Sequence, residues 1–129
     1  LKDAKEFVER CIRLQKRKNK DEFNFALSID DGIIGGIGLF NISGHKAEIG
    51  YWMGEKYWNK GIMTKAVSAI TQYGFKKLKF KRVSAYVFLK NNASARVLEK
   101  NGYRKEGLLR KYHFKDGKYI DAMMYAKVK

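Results

Sequence analysis

Between residues 47 and 89 the hydrophobic period of the chain changes twice, and nothing else in the sequence narrows the available folds as much. From Ala47 to Met53, Ile49, Tyr51 and Met53 fall on one side of an extended segment and Glu48, Gly50 and Trp52 on the other. From Ile62 to Leu78, the residues Met63, Val67, Ile70, Gly74 and Leu78 recur at steps of three and four, the spacing of one helix face. From Arg82 to Leu89 the run Arg-Val-Ser-Ala-Tyr-Val-Phe-Leu is again β-prone. Strand, helix, strand in this order demands two parallel strands joined by a crossover, since a tight turn only reverses the chain. This unit supplies the parallel part of a mixed sheet.

The flanking segments fit around this unit. Phe7, Cys11, Ile12 and Leu14 recur near the helical period among charged residues, so the spacing predicts an amphipathic helix over residues 3–18. Phe23 to Ile29 alternates as a strand, Asp31-Gly32 signals a two-residue hairpin turn, and Ile33 to Ile42 is its partner. Gly35, Gly36 and Gly38 within that partner mark a bulge or a close approach to the backbone. Ser43 to Lys46 turns the chain into the 47–53 strand. After 82–89, a short helix from Ala93 to Lys100 stops at Asn101-Gly102. A long hairpin, Tyr103 to Phe114 and Lys118 to Val128, closes the chain. The order is helix, three strands, helix, strand, helix, two strands. That is an α+β domain with a mixed, mostly antiparallel sheet flanked by helices.

Composition decides what kind of molecule carries this pattern. The 129 residues suit one domain over residues 1–129, and 45% hydrophobic with 14% aromatic residues can fill a core. One cysteine forms no internal disulfide, and one thiol with two histidines is too little for a structural zinc site. The run Ile33 to Ile42 is glycine-interrupted and strand-length, well short of the ~20 residues of a membrane span. No secretory h-region opens the sequence, so a cytoplasmic location is expected. The 28 Lys and Arg against 13 Asp and Glu give a net charge of +15, spread along the chain rather than gathered in a tail. Such a field attracts anions of every kind, from nucleic acid to a phosphorylated cofactor, and does not choose among them.

The stretch from Gly54 to Thr64 is the richest in chemistry. A strand ends, a short loop follows, and a long helix opens at Asn59-Lys-Gly-Ile-Met-Thr64. Free N–H groups at a helix start bind anions, and a glycine lets a phosphate approach the backbone. The segment is neither of the two standard phosphate loops: Gly61 is followed by Ile62-Met63, not Lys-Ser/Thr, and Gly36-Ile-Gly38 lies inside a strand. On its own it reads equally well as a tight strand-to-helix turn.

Two motifs in order tip that balance. Gly50-Tyr-Trp-Met-Gly-Glu-Lys-Tyr-Trp-Asn-Lys-Gly-Ile-Met-Thr-Lys-Ala66 resembles the acetyl-CoA loop of the GNAT N-acetyltransferases. It is most similar to the branch of the bacterial ribosomal-protein N-terminal acetyltransferases (Rim-like), whose loop reads Trp-Gly-x-Gly-x-Ala-Thr. Asn91-Asn-Ala-Ser-Ala-Arg-Val-Leu-Glu-Lys-Asn-Gly-Tyr103 resembles the second signature of that branch, Asn-x-x-Ser, then a helix and Gly-aromatic. The resemblance implies a GNAT fold whose usual first strand and helix lie before Leu1 or are absent. It implies an acetyl-CoA-dependent N-acetyltransferase acting on a primary amine. Trp52 and Met53 would hold the pantetheine and polarise the acetyl carbonyl, and Asn59, Lys60, Gly61, Ile62, Met63 and Thr64 would receive the pyrophosphate. Asn91 would position loop and cofactor, and basic residues near the last helix would meet the 3′-phosphate. Glu48 would activate the amine and Ser94 would protonate the departing thiolate, with no metal involved. Asn59 and Met63 depart from the branch, standing where it has a glycine and a small residue.

Each of these residues also has a plainer reading. A carboxylate at Glu48 beside Trp52 suits a general base, and equally an exposed strand charge. Ser94 suits a helix cap. His45 and His113 have no evident metal or triad partner, and Cys11 reads as a core residue. Asp121 resembles a recurrent acid of the branch's last strand. Residues 75–82 and 112–119 interleave bases with aromatics, as nucleic-acid platforms and solvated basic faces both do. The acceptor expected from the resemblance is a protein N-terminus, such as that of a ribosomal protein. A polyamine or antibiotic amine is the small-molecule alternative, and polyamines are disfavoured by a +15 protein. A non-catalytic basic module near the ribosome or nucleic acid is the alternative outside the class. Monomer and homodimer are both open.

Overall fold

Alternation and β-branching pair the extended segments into one mixed sheet. The computed structural model describes residues 12–14, 22–29 and 32–129. Its strands are β1 (Ile12–Leu14), β2 (Phe23–Ile29), β3 (Gly32–Ser43), β4 (Lys46–Met53), β5 (Arg82–Phe88), β6 (Arg104–Lys115) and β7 (Lys118–Val128). A single 3₁₀ turn, Glu55–Tyr57, leads into helix α1 (Ile62–Lys76), and α2 (Asn92–Lys100) follows β5. The strand order is β1-β2-β3-β4-β5-β7-β6. All neighbours are antiparallel except β4 and β5, as the crossover requires.

The first segment corrects the sequence. Ile12–Leu14, inside the expected helix over 3–18, is a strand paired with Leu27, Ala26 and Phe25 of β2, so among the described residues the sheet has seven strands rather than the six expected. Leu14 fits the helical steps from Phe7 and Cys11, but Ile12 and Leu14, two residues apart, share a face only in a strand, and pairing to an existing edge decides between the two readings. The remainder of that expected helix, with Cys11, lies outside the described residues. Ile29 pairs with Gly32, so Gly32 belongs to β3 and the connection falls on residues 30–31, also outside the described residues. Helix α1 ends at Lys76 rather than Leu78, with Lys77 as its C-cap, although Leu78 still packs against the core.

One face of the sheet carries the core. Leu27, Leu39, Val83 and Leu98 are fully buried, each contributing about 1.5–3 kcal/mol relative to exposure. Helix α1 buries Met63, Ala66, Val67, Ile70, Thr71, Gly74 and Phe75 against this face. Gly74 sits where a Cβ would press within 3.3 Å of the Phe80 ring and 3.4 Å of Leu39, so its lack of a side chain brings helix and sheet together. Helix α2 lies on the same face: the Asn101 amide donates to the Thr64 carbonyl at 3.1 Å, and the Thr71 and Tyr103 hydroxyls share a buried hydrogen bond of 2.6 Å. The opposite face presents Gly36, Gly38, Phe40, Glu48, Gly50, Trp52, Ser84, Tyr86 and Phe88, by the alternation of β3, β4 and β5.

The parallel junction is short. β4 and β5 pair only through Lys46–Arg82, Ala47–Val83 and Glu48–Ser84. Beyond Glu48 and Ser84 they part, β4 continuing along β3 to Met53 and β5 along β7 to Phe88. The notch they leave opens toward the starts of both helices.

Candidate active site

The loop from β4 to α1 is shaped by two left-handed residues. Asn59 has φ 61° and Gly61 φ 76°. Asparagine is among the residues that tolerate this region, which explains how Asn59 stands where the related loops have glycine. Gly61 is the N-cap of α1 and carries no side-chain cap. The first helical N–H with a carbonyl one turn back is that of Lys65, 3.2 Å from the Gly61 oxygen, so those of Ile62, Met63 and Thr64 lack helical partners. A Cβ placed on Gly61 would meet nothing within 4 Å, so open space lies in front of these donors. The Trp58 indole N–H returns to the Met53 carbonyl at 2.8 Å and fastens the loop to the strand end.

A groove of ≈ 720 Å³ runs from these donors along the end of β4 to α2. Trp52, Met53, Asn59, Gly61, Ile62, Met63, Thr64, Asn91 and Ser94 all line it. Met63 is also buried in the core, so its bulk is directed largely inward. Lys60 is exposed and off the wall. The groove also includes residues that the sequence reading passed over: Tyr51, Trp58, Ala93, Arg96, Val97 and Lys100. Arg96 and Lys100, one turn apart on α2, supply cations to it. A smaller cavity of ≈ 260 Å³ lies on the other flank of α2 and shares Arg96.

Asn91 and Ser94 divide their duties clearly. Asn91 is the N-cap of α2, and its side-chain oxygen accepts the Ser94 N–H at 3.1 Å. The Ser94 hydroxyl is therefore free of capping and lies 2.9 Å from the Tyr51 hydroxyl, which also donates to the Ser94 carbonyl at 3.2 Å. Burial pushes the Tyr51 phenol up against the lowering effect of its Ser94 hydrogen bond, so it stays neutral at physiological pH. A buried phenol in an apolar strand face needs a polar partner, and that need was the sequence signal for Tyr51.

Glu48 does not share this groove. It stands on the opposite face, at the last residue of β4 paired with β5, where the notch begins. The Asn41 amide donates to its Oε2 at 2.8 Å. Asn41 has φ 49° and lies in a β-bulge between Phe40 and Ser43, the kind of irregularity that re-aims a side chain. Asp121 accepts the Lys111 N–H at 2.7 Å, and His113 packs on Phe88 with ring centres 5.1 Å apart. Among the described residues no group of three or more His, Cys, Asp or Glu is placed to hold a metal, and no helix is long and apolar enough to cross a membrane.

Comparison with known proteins agrees with this arrangement. Residues 1–104 match the model of the acetyltransferase (GNAT) domain. An uncharacterized N-acetyltransferase of Bacillus licheniformis is 30% identical over the whole chain, which spans 74% of that relative. A probable N-acetyltransferase of Bacillus subtilis is 41% identical over 80% of the chain, spanning 60% of the relative. Among solved structures, the ribosomal-protein-S5-alanine acetyltransferase of Vibrio fischeri superposes with a TM-score of 0.81 at 31% identity, covering 83% of this chain and 61% of that one. The chain thus spans about three fifths of several of these proteins. With the mixed sheet, the parted strands and the open helix start all in place, the chain belongs to the GNAT acetyltransferase family.

Proposed function

We propose that the protein transfers the acetyl group of acetyl-CoA to a primary amine, and that the amine is a protein N-terminus. The observation that carries the reading is the parting of β4 and β5 at Glu48 and Ser84, directly beside a helix start with unpartnered N–H groups. Acetyl-CoA supplies an activated thioester. The chain's residues fit it: the N–H groups of Ile62, Met63 and Thr64 suit a pyrophosphate, Arg96 and Lys100 suit further phosphate, and the notch has room for an extended arm. With its carbonyl taken by Trp58, Met53 offers mainly its N–H, and with Trp52 it borders the place where a carbonyl would be polarised.

The two expected catalytic side chains then work from opposite faces of the notch. Glu48, held by Asn41, takes a proton from the incoming ammonium on the outer face and frees the nitrogen lone pair. Ser94, steadied by Tyr51, donates its hydroxyl hydrogen to the sulfur on the helix face as the carbon–sulfur bond breaks, and is restored through solvent by the proton that the acylated nitrogen sheds. Tyr51, kept neutral by burial, orients that hydroxyl without carrying charge. The protein-N-terminus acceptor is supported by the likeness to the Vibrio fischeri enzyme, and the +15 charge disfavours a polycationic acceptor while suiting work in the cytoplasm near the ribosome.

The test pairs two measurements. Thiol release from acetyl-CoA should depend on added peptides with free amino termini and disappear when those termini are blocked. A nucleic-acid titration over a range of salt, run alongside, should show only weak, strongly salt-dependent binding. No thiol release from any amine, with tight nucleic-acid binding, would replace the enzyme with a basic binding module.

A further inference from the structure

The β6–β7 hairpin leaves its ladder at one prominent place. Leu109 pairs with Ala122 and His113 with Ile120, so Arg110, Lys111 and Tyr112 stand opposite a single residue, Asp121. Lys111 takes φ 52°, a conformation that L side chains rarely adopt. Asp121 compensates: its Oδ1 accepts the Lys111 N–H at 2.7 Å and replaces the ladder bond that the bulge removes. Beyond this point the hairpin folds over the outer face. The Tyr112 ring stacks on Tyr86 of β5 with centres 5.0 Å apart and planes at 22°, and His113 follows onto Phe88. Both contacts reach across β7, where Tyr86 pairs with Met124 and Phe88 with the fully buried Ala122. Tyr112 stays half exposed. Glu48 pairs with Ser84, Ser84 and Tyr86 share the outer face of β5, and Tyr112 stacks on Tyr86, so the carboxylate and this ring share one neighbourhood. The charge of Glu48 is accordingly among the causes, after partial burial and Tyr86, that raise the Tyr112 phenol.

We propose that Asp121 is a positioning residue for the acceptor: by closing the bulge it sets the Tyr112 ring as the wall against which a protonated amine is held beside Glu48. The inference rests on the reading of the outer face as the acceptor side. The recognition chemistry is a carboxylate together with an aromatic face, which suits an ammonium group and excludes an anion. Asp121 itself, occupied by the Lys111 amide, acts only through Tyr112.

Three variants decide the matter: Asp121→Ala, Asp121→Asn, whose amide oxygen can still accept the Lys111 N–H, and Tyr112→Ala. Steady-state kinetics with acetyl-CoA and peptides beginning with free Ala or Ser give separate KM values. Asp121→Ala and Tyr112→Ala should each raise the peptide KM about tenfold, the scale of one lost cation–aromatic contact. The KM for acetyl-CoA should hold, Asp121→Asn should restore the parent value, and the double variant should be no worse than either single one. Equal damage in Asp121→Asn, or effects that multiply in the double variant, would overturn the proposal. Should the parent acetylate none of these peptides, the acceptor assignment fails separately, and the positioning role is read by NMR. Asp121→Ala must then speed exchange of the Lys111 amide and abolish the ring-current shifts between Tyr86 and Tyr112, while Asp121→Asn preserves both. Shifts unchanged in Asp121→Ala would sink it.

Discussion

The two faces of the notch are built from different materials. On the helix face the groove is made largely of backbone: left-handed residues at Asn59 and Gly61, unpartnered N–H groups at the start of α1, and a cap at Asn91 that frees Ser94. On the outer face the proposed chemistry rests on side chains held at β-bulges: the Asn41 amide bonds Glu48, and the Asp121–Lys111 bond sits beside Tyr112. The backbone face tolerates changes of side chain, which is why Asn59 and Met63 can replace smaller residues. The side-chain face has no such tolerance, because each bulge serves one residue. A fixed, shared ligand suits the first construction, and a variable acceptor suits the second.

The largest effect should come from the outer face. Glu48→Gln is expected to lower kcat by about 10²–10⁴-fold, the range of a lost general base, with unchanged CoA affinity by calorimetry. A variant at full rate across neutral pH would remove the outer face from the chemistry. Next, Ser94→Ala should slow turnover by roughly 10–100-fold, the worth of a hydrogen bond to a developing charge. Tyr51→Phe should cost less, since Ser94 keeps its hydroxyl, and initial rates on both variants test that order. Third, Gly61→Val forces a β-branched residue to φ 76° and should weaken CoA binding about tenfold, from a strain on the order of 1–2 kcal/mol. Gly61→Asn, able to adopt that backbone, should bind CoA like the parent; equal losses in both would mean that the backbone does not set the site. The smallest effect is read in stability. Asn91→Ala should cost about 0.5–2 kcal/mol in thermal melts, whereas Ser94→Ala should melt near the parent, because the cap is Asn91.

What was legible in the sequence follows the same division. The crossover unit and the helix start are local patterns that spacing located, while the Asn91–Ser94 pair, also a local run, was located by its resemblance to a family motif. The bulges depend on which residues of a neighbouring strand stand opposite, which no single segment encodes, so Asn41 and the link from Asp121 to Tyr112 went unseen. Tyr51 was placed on the correct face without its partner, since Ser94 is 43 residues away in sequence. The first strand was misread as helix because Phe7, Cys11 and Leu14 fall at helical steps, and only the edge of β2 selects the strand at Ile12–Leu14. The register of the terminal hairpin was legible at its turn and lost at residues 110–112, where the ladder skips.

The three residue pairs that join β4 to β5 also have a mechanical meaning. Strands β1 to β4 form one leaf and β5, β7 and β6 another, and the backbone seam between them is the shortest among β2 to β7. Under denaturant or load, the leaves should separate along this seam before either unravels, as a sub-global opening of low free energy. An extended ligand in the notch would behave as an inserted strand, lengthening the seam from within. Its concentration would then govern rigidity as well as turnover: at a hundredfold excess over Kd, binding alone adds about 2.7 kcal/mol to the stability of the closed sheet.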